Sequence, residues 1–145
     1  MKILLLTLSI IFSLYAAQID DFAKSVNYER VYKIALQKAQ KEQKPLMLLV
    51  VADYCPWCKK FERKTLEDAQ IKEYVNSNFI PVAIDKLREK GTYPDEFASP
   101  LIPAVYFIDP KTQKSIYEVI AYKTKDEFTK DMQEVLKIFT ESKKQ

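Results

Sequence analysis

The sequence predicts a single α/β domain, and three observations predict it. Stretches with helical spacing of apolar residues alternate along the chain with short, wholly apolar runs of strand length. Two of these runs flank a proline-containing turn, the pattern of a hairpin. The chain has 145 residues, 48% hydrophobic and 30% charged, which is enough for one packed core and not for two. With 8 Phe and 9 Tyr it is far too apolar for a disordered tail. The formal net charge of +3 is too balanced to predict a nucleic-acid partner or an anionic membrane surface. With no His and only 2 Cys, the chain lacks the ligands for an ordinary zinc site, and no metal is expected.

Residues 1–17 read as a signal peptide. Lys2 precedes an apolar run from Ile3 to Leu14, and small residues follow where cleavage after Ala16 or Ala17 is expected. The alternative, an uncleaved anchor, needs about 20 apolar residues, and the run is shorter. Export to an oxidising compartment, the bacterial periplasm, is the expectation. Residues 18–26 are expected to be an N-terminal lead-in, and 27–142 the folded domain.

From Asn27 to Gln43 the residues Tyr28, Val31, Tyr32, Ala35 and Ala39 form one helical stripe. Pro45 opens Leu46 to Ala52, seven apolar residues that suit a central strand covered on both faces. Beyond Cys55 a helix is expected to about Glu67, and a second piece from Asp68 to Asn76. Phe79 to Ile84 reads as a strand. Asp85 to Leu101 reads as a polar loop holding Gly91 and one helical turn at Asp95 to Ala98. Ala104 to Ile108 and Ser115 to Ile120 form the hairpin around Asp109-Pro110-Lys111-Thr112. Thr124 and Glu127 spell a capping box, and Phe128, Met132, Val135 and Phe139 give the last helix its buried face, with Lys143 and Lys144 at its end.

Cys55-Pro56-Trp57-Cys58 stands between the first strand and the helix that follows. Pro56 suits a first helical position, which makes Cys55 the N-cap. There, unpaired N–H groups and the helix dipole favour a thiolate, so Cys55 is the expected nucleophile. Cys58, one turn further in, is expected to be shielded and to resolve the mixed disulfide. Lys59 and Lys60 add positive charge nearby. The competing reading is a structural disulfide, but so small a ring removes only about 2 kcal/mol of unfolded-state entropy, against about 3 kcal/mol for a 15-residue loop. Position 59 is Lys, not the His that haem attachment requires. Ile102-Pro103, just before the third strand, is a candidate substrate-binding element: a proline there sits at an edge or in a cis turn and leaves backbone groups for an extended client. The alternative is an ordinary loop proline. Trp57 and Tyr54 flank the sulfurs, either as an apolar landing surface or as core aromatics.

Val50-Val51-Ala52-Asp53-Tyr54-Cys55-Pro56-Trp57-Cys58-Lys59-Lys60-Phe61 resembles the active-site segment of the thioredoxin superfamily, and Ile102-Pro103-Ala104-Val105-Tyr106-Phe107 resembles its cis-proline strand. With Lys44-Pro45 before the first strand, the chain is similar to exported thioredoxin-like domains of the DsbD C-terminal type. The resemblance implies a thioredoxin-like fold, a central four-stranded mixed sheet flanked by helices. It also implies dithiol–disulfide exchange without a bound cofactor, Cys55 as attacking thiol, Cys58 as resolving thiol and Pro103 as the cis residue. Three departures stand out. Leu49 occupies the place of a buried acid, so a carboxylate for the proton of Cys58 is missing or comes from elsewhere. Pro56 and Trp57 replace the residues found between the cysteines of cytosolic thioredoxins. The glycines common in the last hairpin and strand are replaced.

The DsbA-type oxidants share Cys-Pro-x-Cys but hold His where this chain has Trp57, and they carry an added helical domain for which the stretch between Cys58 and Pro103 has no room. A disulfide reductase acting on exported proteins, recharged by a membrane-embedded thiol electron donor and working as a monomer, is therefore the expectation. An oxidase or isomerase, and a non-catalytic peptide-binding protein of the same fold, are the alternatives.

Overall fold

The computed structural model describes residues 18–144, so the expected signal peptide lies outside the described residues. Four strands form one mixed sheet in the order β2-β1-β3-β4: β1 (Leu46–Val51), β2 (Ile80–Asp85), β3 (Ala104–Ile108) and β4 (Ser115–Ile120). β1 runs parallel to β2 and antiparallel to β3, and β3 and β4 form the expected hairpin. All six residues of β1 are buried. Alternation along the strand sends Leu46, Leu48 and Val50 to one face and Met47, Leu49 and Val51 to the other, so each face carries its own core cluster. The first face is covered by α2 (Tyr32–Glu42) and by Tyr93 and Phe97 from the long loop. The second is covered by α1 (Gln18–Val26), α3 (Pro56–Phe61), α4 (Ala69–Asn78) and α5 (Lys125–Ser142). Among the described residues no helix is long and apolar enough to cross a membrane.

Two expectations change. Residues 18–26 are no mere lead-in: they form α1, and Ile19, Phe22, Ala23 and Val26 join the core cluster on the face that carries the two cysteines. Their spacings of 3, 1 and 3 are a helical stripe legible in the sequence. Arg30 pins this helix by donating to Asp20 at 2.7 Å and to Glu89 in the loop after β2 at 2.9 Å. The helix predicted from Asn27 begins only at Tyr32. Glu29 instead forms a parallel bridge to Val82, its N–H donating to Pro81 at 2.9 Å and its carbonyl accepting from Ala83 at 3.0 Å. That pairing requires extended backbone, so Tyr28 packs in the opposite core from Tyr32, and Val31 is an exposed N-cap.

The remaining elements follow their local signals. Thr124 and Glu127 make the capping box of α5, whose buried residues are Phe128, Met132, Val135 and Phe139. After α3 the chain widens into a π-helical turn, Glu62–Leu66, closed by the Glu67 N–H on the Glu62 carbonyl at 2.9 Å. Asp68 then caps α4 through the N–H groups of Gln70 and Ile71.

Candidate functional site

β1 ends against the helix α3, and the two residues between strand end and helix that matter most are Tyr54 and Cys55. Cys55 is the N-cap of α3, with extended backbone and Pro56 at the first helical position. Its Sγ accepts from the Cys58 N–H at 3.1 Å, so the sulfur occupies the place where a capping oxygen normally sits. Cys55 and Cys58 are joined as a disulfide with Cα atoms 5.2 Å apart. Cys55 keeps 7% of its surface exposed, whereas Cys58 keeps none. Cys55 is the less buried of the two residues.

The Ile102–Pro103 peptide bond is cis, and it brings the Ile102 carbonyl oxygen to 3.7 Å from Cys55 Sγ. Pro103 is buried, and its own carbonyl already accepts from the Ala121 N–H at 2.9 Å. The Pro103 carbonyl is thus taken up within the fold, and the carbonyl that faces the sulfur is that of Ile102. Leu101, just before them, is exposed, and Ser99 ties the loop by donating to the Leu101 carbonyl at 2.6 Å.

Tyr54 and Trp57 are surface residues, 65% and 55% exposed, and not core aromatics. Trp57 is not free, however. Its ring lies 5.9 Å from that of Tyr122, in the loop between β4 and α5, and Lys60 Nζ sits over both rings at 4.8 and 4.6 Å. Tyr122 in turn meets Phe61 edge-on at 6.3 Å. The charge expected near the sulfurs is thus committed elsewhere: Lys60 to the rings, and Lys59 to Glu62 at 3.3 Å. Asp53, before Tyr54, pairs with Arg88 at 2.5 Å and anchors the motif to the loop after β2.

Two residues here escape a reading of the sequence. Tyr122 is distant in sequence and gives no local signal. Glu62 gives one: Cys58, Phe61, Glu62, Thr65 and Leu66 are a buried helical stripe, and Glu62 is its charged member. It is only 3% exposed, and burial, more than the opposing pull of Lys59, holds its carboxyl above the usual range, helped by Glu67 and Asp53. Leu49 lies in the same apolar cluster as Cys58 and supplies no charge.

A buried strand, a helix capped by a sulfur and a cis-proline loop against that sulfur coincide with what the family comparison finds. The Thioredoxin-like family matches residues 27–110, more than half of the chain. The chain belongs to that family. The solution structure of a thioredoxin from Thermus thermophilus superposes with a TM-score of 0.64 at 19% identity, covering 75% of this chain and 86% of that one. The oxidised C-terminal domain of Neisseria meningitidis DsbD superposes with a TM-score of 0.60 at 21% identity, covering 73% and 97%. At such identities the likeness shows a shared fold. Spermatogenesis-associated protein 20 of Rattus norvegicus is 36% identical over 52 residues, 36% of this chain and only 7% of the relative's length. The fold is thioredoxin-like, and the protein carries a redox-capable pair at Cys55 and Cys58.

Among the described residues no cluster of three or more His, Cys, Asp or Glu side chains could hold a metal ion.

Proposed function

We propose that this protein is an extracytoplasmic thiol–disulfide oxidoreductase that reduces disulfides in exported proteins. The observation that carries the reading is the asymmetry of the pair: Cys55 Sγ caps a helix and receives the Cys58 N–H in a residue that keeps some exposed surface, while Cys58 is fully buried. In the dithiol form the same N–H and the helix dipole stabilise a Cys55 thiolate, the latter by roughly 0.3–1 kcal/mol. The thiolate attacks one sulfur of a client disulfide and displaces the other as a thiolate. Cys58, deprotonated, then attacks Cys55 Sγ, and the second client thiolate leaves. Two electrons pass from the pair to the client, and the pair ends as the disulfide seen here. Ile102 offers backbone to the client strand beside the sulfur, and Tyr54 and Trp57 offer apolar surface around it.

Trp57 supports reduction over oxidation, because a strong oxidant needs an unusually stabilised thiolate and an indole brings no charge for it. The basic and apolar character of residues 1–17 supports export. A reductase in that compartment needs an outside source of electrons, and a membrane-embedded dithiol donor fits the need. The likeness to a DsbD C-terminal domain supports protein disulfides as the substrates, and the protein would act on them as a monomer.

The test is the reduction potential of the Cys55–Cys58 pair together with insulin reduction by wild type and Cys55→Ser. A potential toward about −270 mV, with turnover abolished by Cys55→Ser, is expected. A potential near about −120 mV would make the protein an oxidant instead. Equal turnover by both proteins would remove Cys55 from the chemistry.

A further inference from the structure

Residues 98–103 have no regular secondary structure, yet they carry the Ile102 carbonyl that stands 3.7 Å from Cys55 Sγ. A loop of this kind is ordinarily among the more mobile parts of a fold. This one is held by a chain of hydrogen bonds that starts outside it. Lys86, the first residue after β2, donates its N–H to the carbonyl of Val51, the last residue of β1, at 2.9 Å. The buried Asp85 carboxylate fixes the turn around it by accepting from the N–H groups of Leu87 at 2.9 Å and Arg88 at 3.0 Å. From that anchored backbone the Lys86 side chain crosses to the loop, where Nζ donates to the Ser99 carbonyl at 2.8 Å. Ser99 is itself buried. Its hydroxyl donates to the Leu101 carbonyl at 2.6 Å and accepts from the Leu101 N–H at 3.2 Å.

For a lysine the arrangement is unusual. A surface ammonium ordinarily stays in water with its rotamers free, and tying it to one backbone carbonyl gives up that freedom. In return the bond is charge-assisted, roughly twice as strong as a neutral one. What it secures is the stretch just before the cis peptide bond. Both backbone polar groups of Leu101 turn inward to Ser99, so this residue offers outward only its side chain, 65% exposed, directly before the carbonyl that faces the sulfur. We propose that Lys86 and Ser99 are positioning residues for client binding, holding Leu101 and Ile102 in the arrangement that a client segment meets beside Cys55. Neither acts on the sulfurs. Lys86 fixes Ser99, Ser99 fixes Leu101, and Ile102 follows. A loop that is already ordered adds less entropy loss to the complex than one the client must order itself. The effect therefore belongs to KM for clients long enough to lie along the loop, and not to attack by Cys55 on a disulfide too small to reach it.

The inference rests on disulfide exchange with protein clients at Cys55, and one experiment separates the two. Wild type, K86M, K86R and S99A are assayed with insulin as an extended client, dithiothreitol supplying electrons, and with dithiodipyridine as a small disulfide. K86M keeps the length of the side chain and removes the donor, whereas K86R keeps a donor. The ratio of kcat/KM for insulin to the rate constant for dithiodipyridine should fall at least about fivefold in K86M and S99A, through KM, and K86R should recover most of it. A ratio equal to that of wild type in both variants overturns the proposal. So does a loss of equal size on both disulfides, which is what a merely structural role would give. Failure of wild type to react with either disulfide would refute exchange at Cys55, and the positioning role with it. If S99A does not fold, hydrogen exchange on K86M decides: the Leu101 amide should exchange at least about tenfold faster than in wild type, and an unchanged rate overturns the proposal.

Discussion

The aromatic shelf beside Cys55 is held together by contacts whose strength can be worked out and measured. Trp57 and Tyr122 are 5.9 Å apart at an angle of 43°, and Lys60 lies over both. A tilted ring pair contributes about 0.5–1.5 kcal/mol, and an exposed cation over a ring about 0.5–1 kcal/mol. Tyr122→Ala also removes the edge-on contact with Phe61, so its total loss should reach about 2–3 kcal/mol. The part that Trp57 feels is the coupling term, about 1 kcal/mol. In a double-mutant cycle of Trp57→Ala and Tyr122→Ala, followed by urea denaturation, that coupling should emerge directly. If the shelf receives client side chains, releasing Trp57 from Tyr122 transfers its ordering entropy to the client complex. KM for a protein disulfide should then rise about fivefold in Tyr122→Ala, with kcat nearly unchanged. A coupling below about 0.3 kcal/mol refutes the preorganised shelf. A KM that rises in Trp57→Ala but not in Tyr122→Ala would show that Trp57 meets clients without help from its neighbour.

Phe22→Ala removes a buried ring of α1 that packs edge-on against Tyr28 at 5.7 Å and should cost about 3–4 kcal/mol in urea denaturation; a loss under about 1 kcal/mol would mean that α1 rests on the domain without supporting it. Thr124→Ala removes the hydroxyl half of the α5 capping box, leaving the backbone N–H of residue 124 on Glu127, and should lower stability by about 1 kcal/mol; an unchanged melting temperature would show that the hydroxyl cap contributes nothing. The folded state holds the Glu62 proton more tightly than the unfolded chain does, so stability present below pH 4.5 declines as pH rises through the folded-state value. E62Q should therefore be more stable than wild type at pH 7 and converge with it in acid, and an E62Q protein less stable at pH 7 than wild type would contradict that sign. Asp68 runs the other way: Lys125 and the capped N–H groups hold its carboxyl below the usual range, so its contribution is present at neutral pH and fades only as acid titrates the folded form, which Asp68→Asn should abolish.

Much of the site is legible in the order of residues. The position of Cys55-Pro56-Trp57-Cys58 follows from two local rules, an apolar run that ends and a proline that opens a helix, and both concern neighbours in sequence. Phe128, Met132, Val135 and Phe139 reveal the last helix for the same reason, since burial of one helical face imposes its own period. The stripe in α1 is equally legible, though its closeness to the expected signal peptide conceals it. The start of α2 is not, because nothing in Asn27 to Val31 announces that Glu29 pairs with β2. Helical spacing places Tyr28 and Tyr32 on one face, whereas the bridge sends them to opposite sides of the sheet.

What the chain alone determined is therefore what adjacent residues govern: the four strands and most of the helices, where the sulfurs lie between them, and which cysteine caps the helix. What only the tertiary structure decided is who surrounds those sulfurs. The Ile102 carbonyl beside Cys55, Tyr122 beside Trp57 and the cleft that Glu62 shares with α1 all join residues far apart in sequence, and such meetings depend on how sheet and helices pack rather than on any local preference. The reactivity of a thiol is set by its solvent, charges and neighbours, so the motif announces the chemistry and the packing sets its terms.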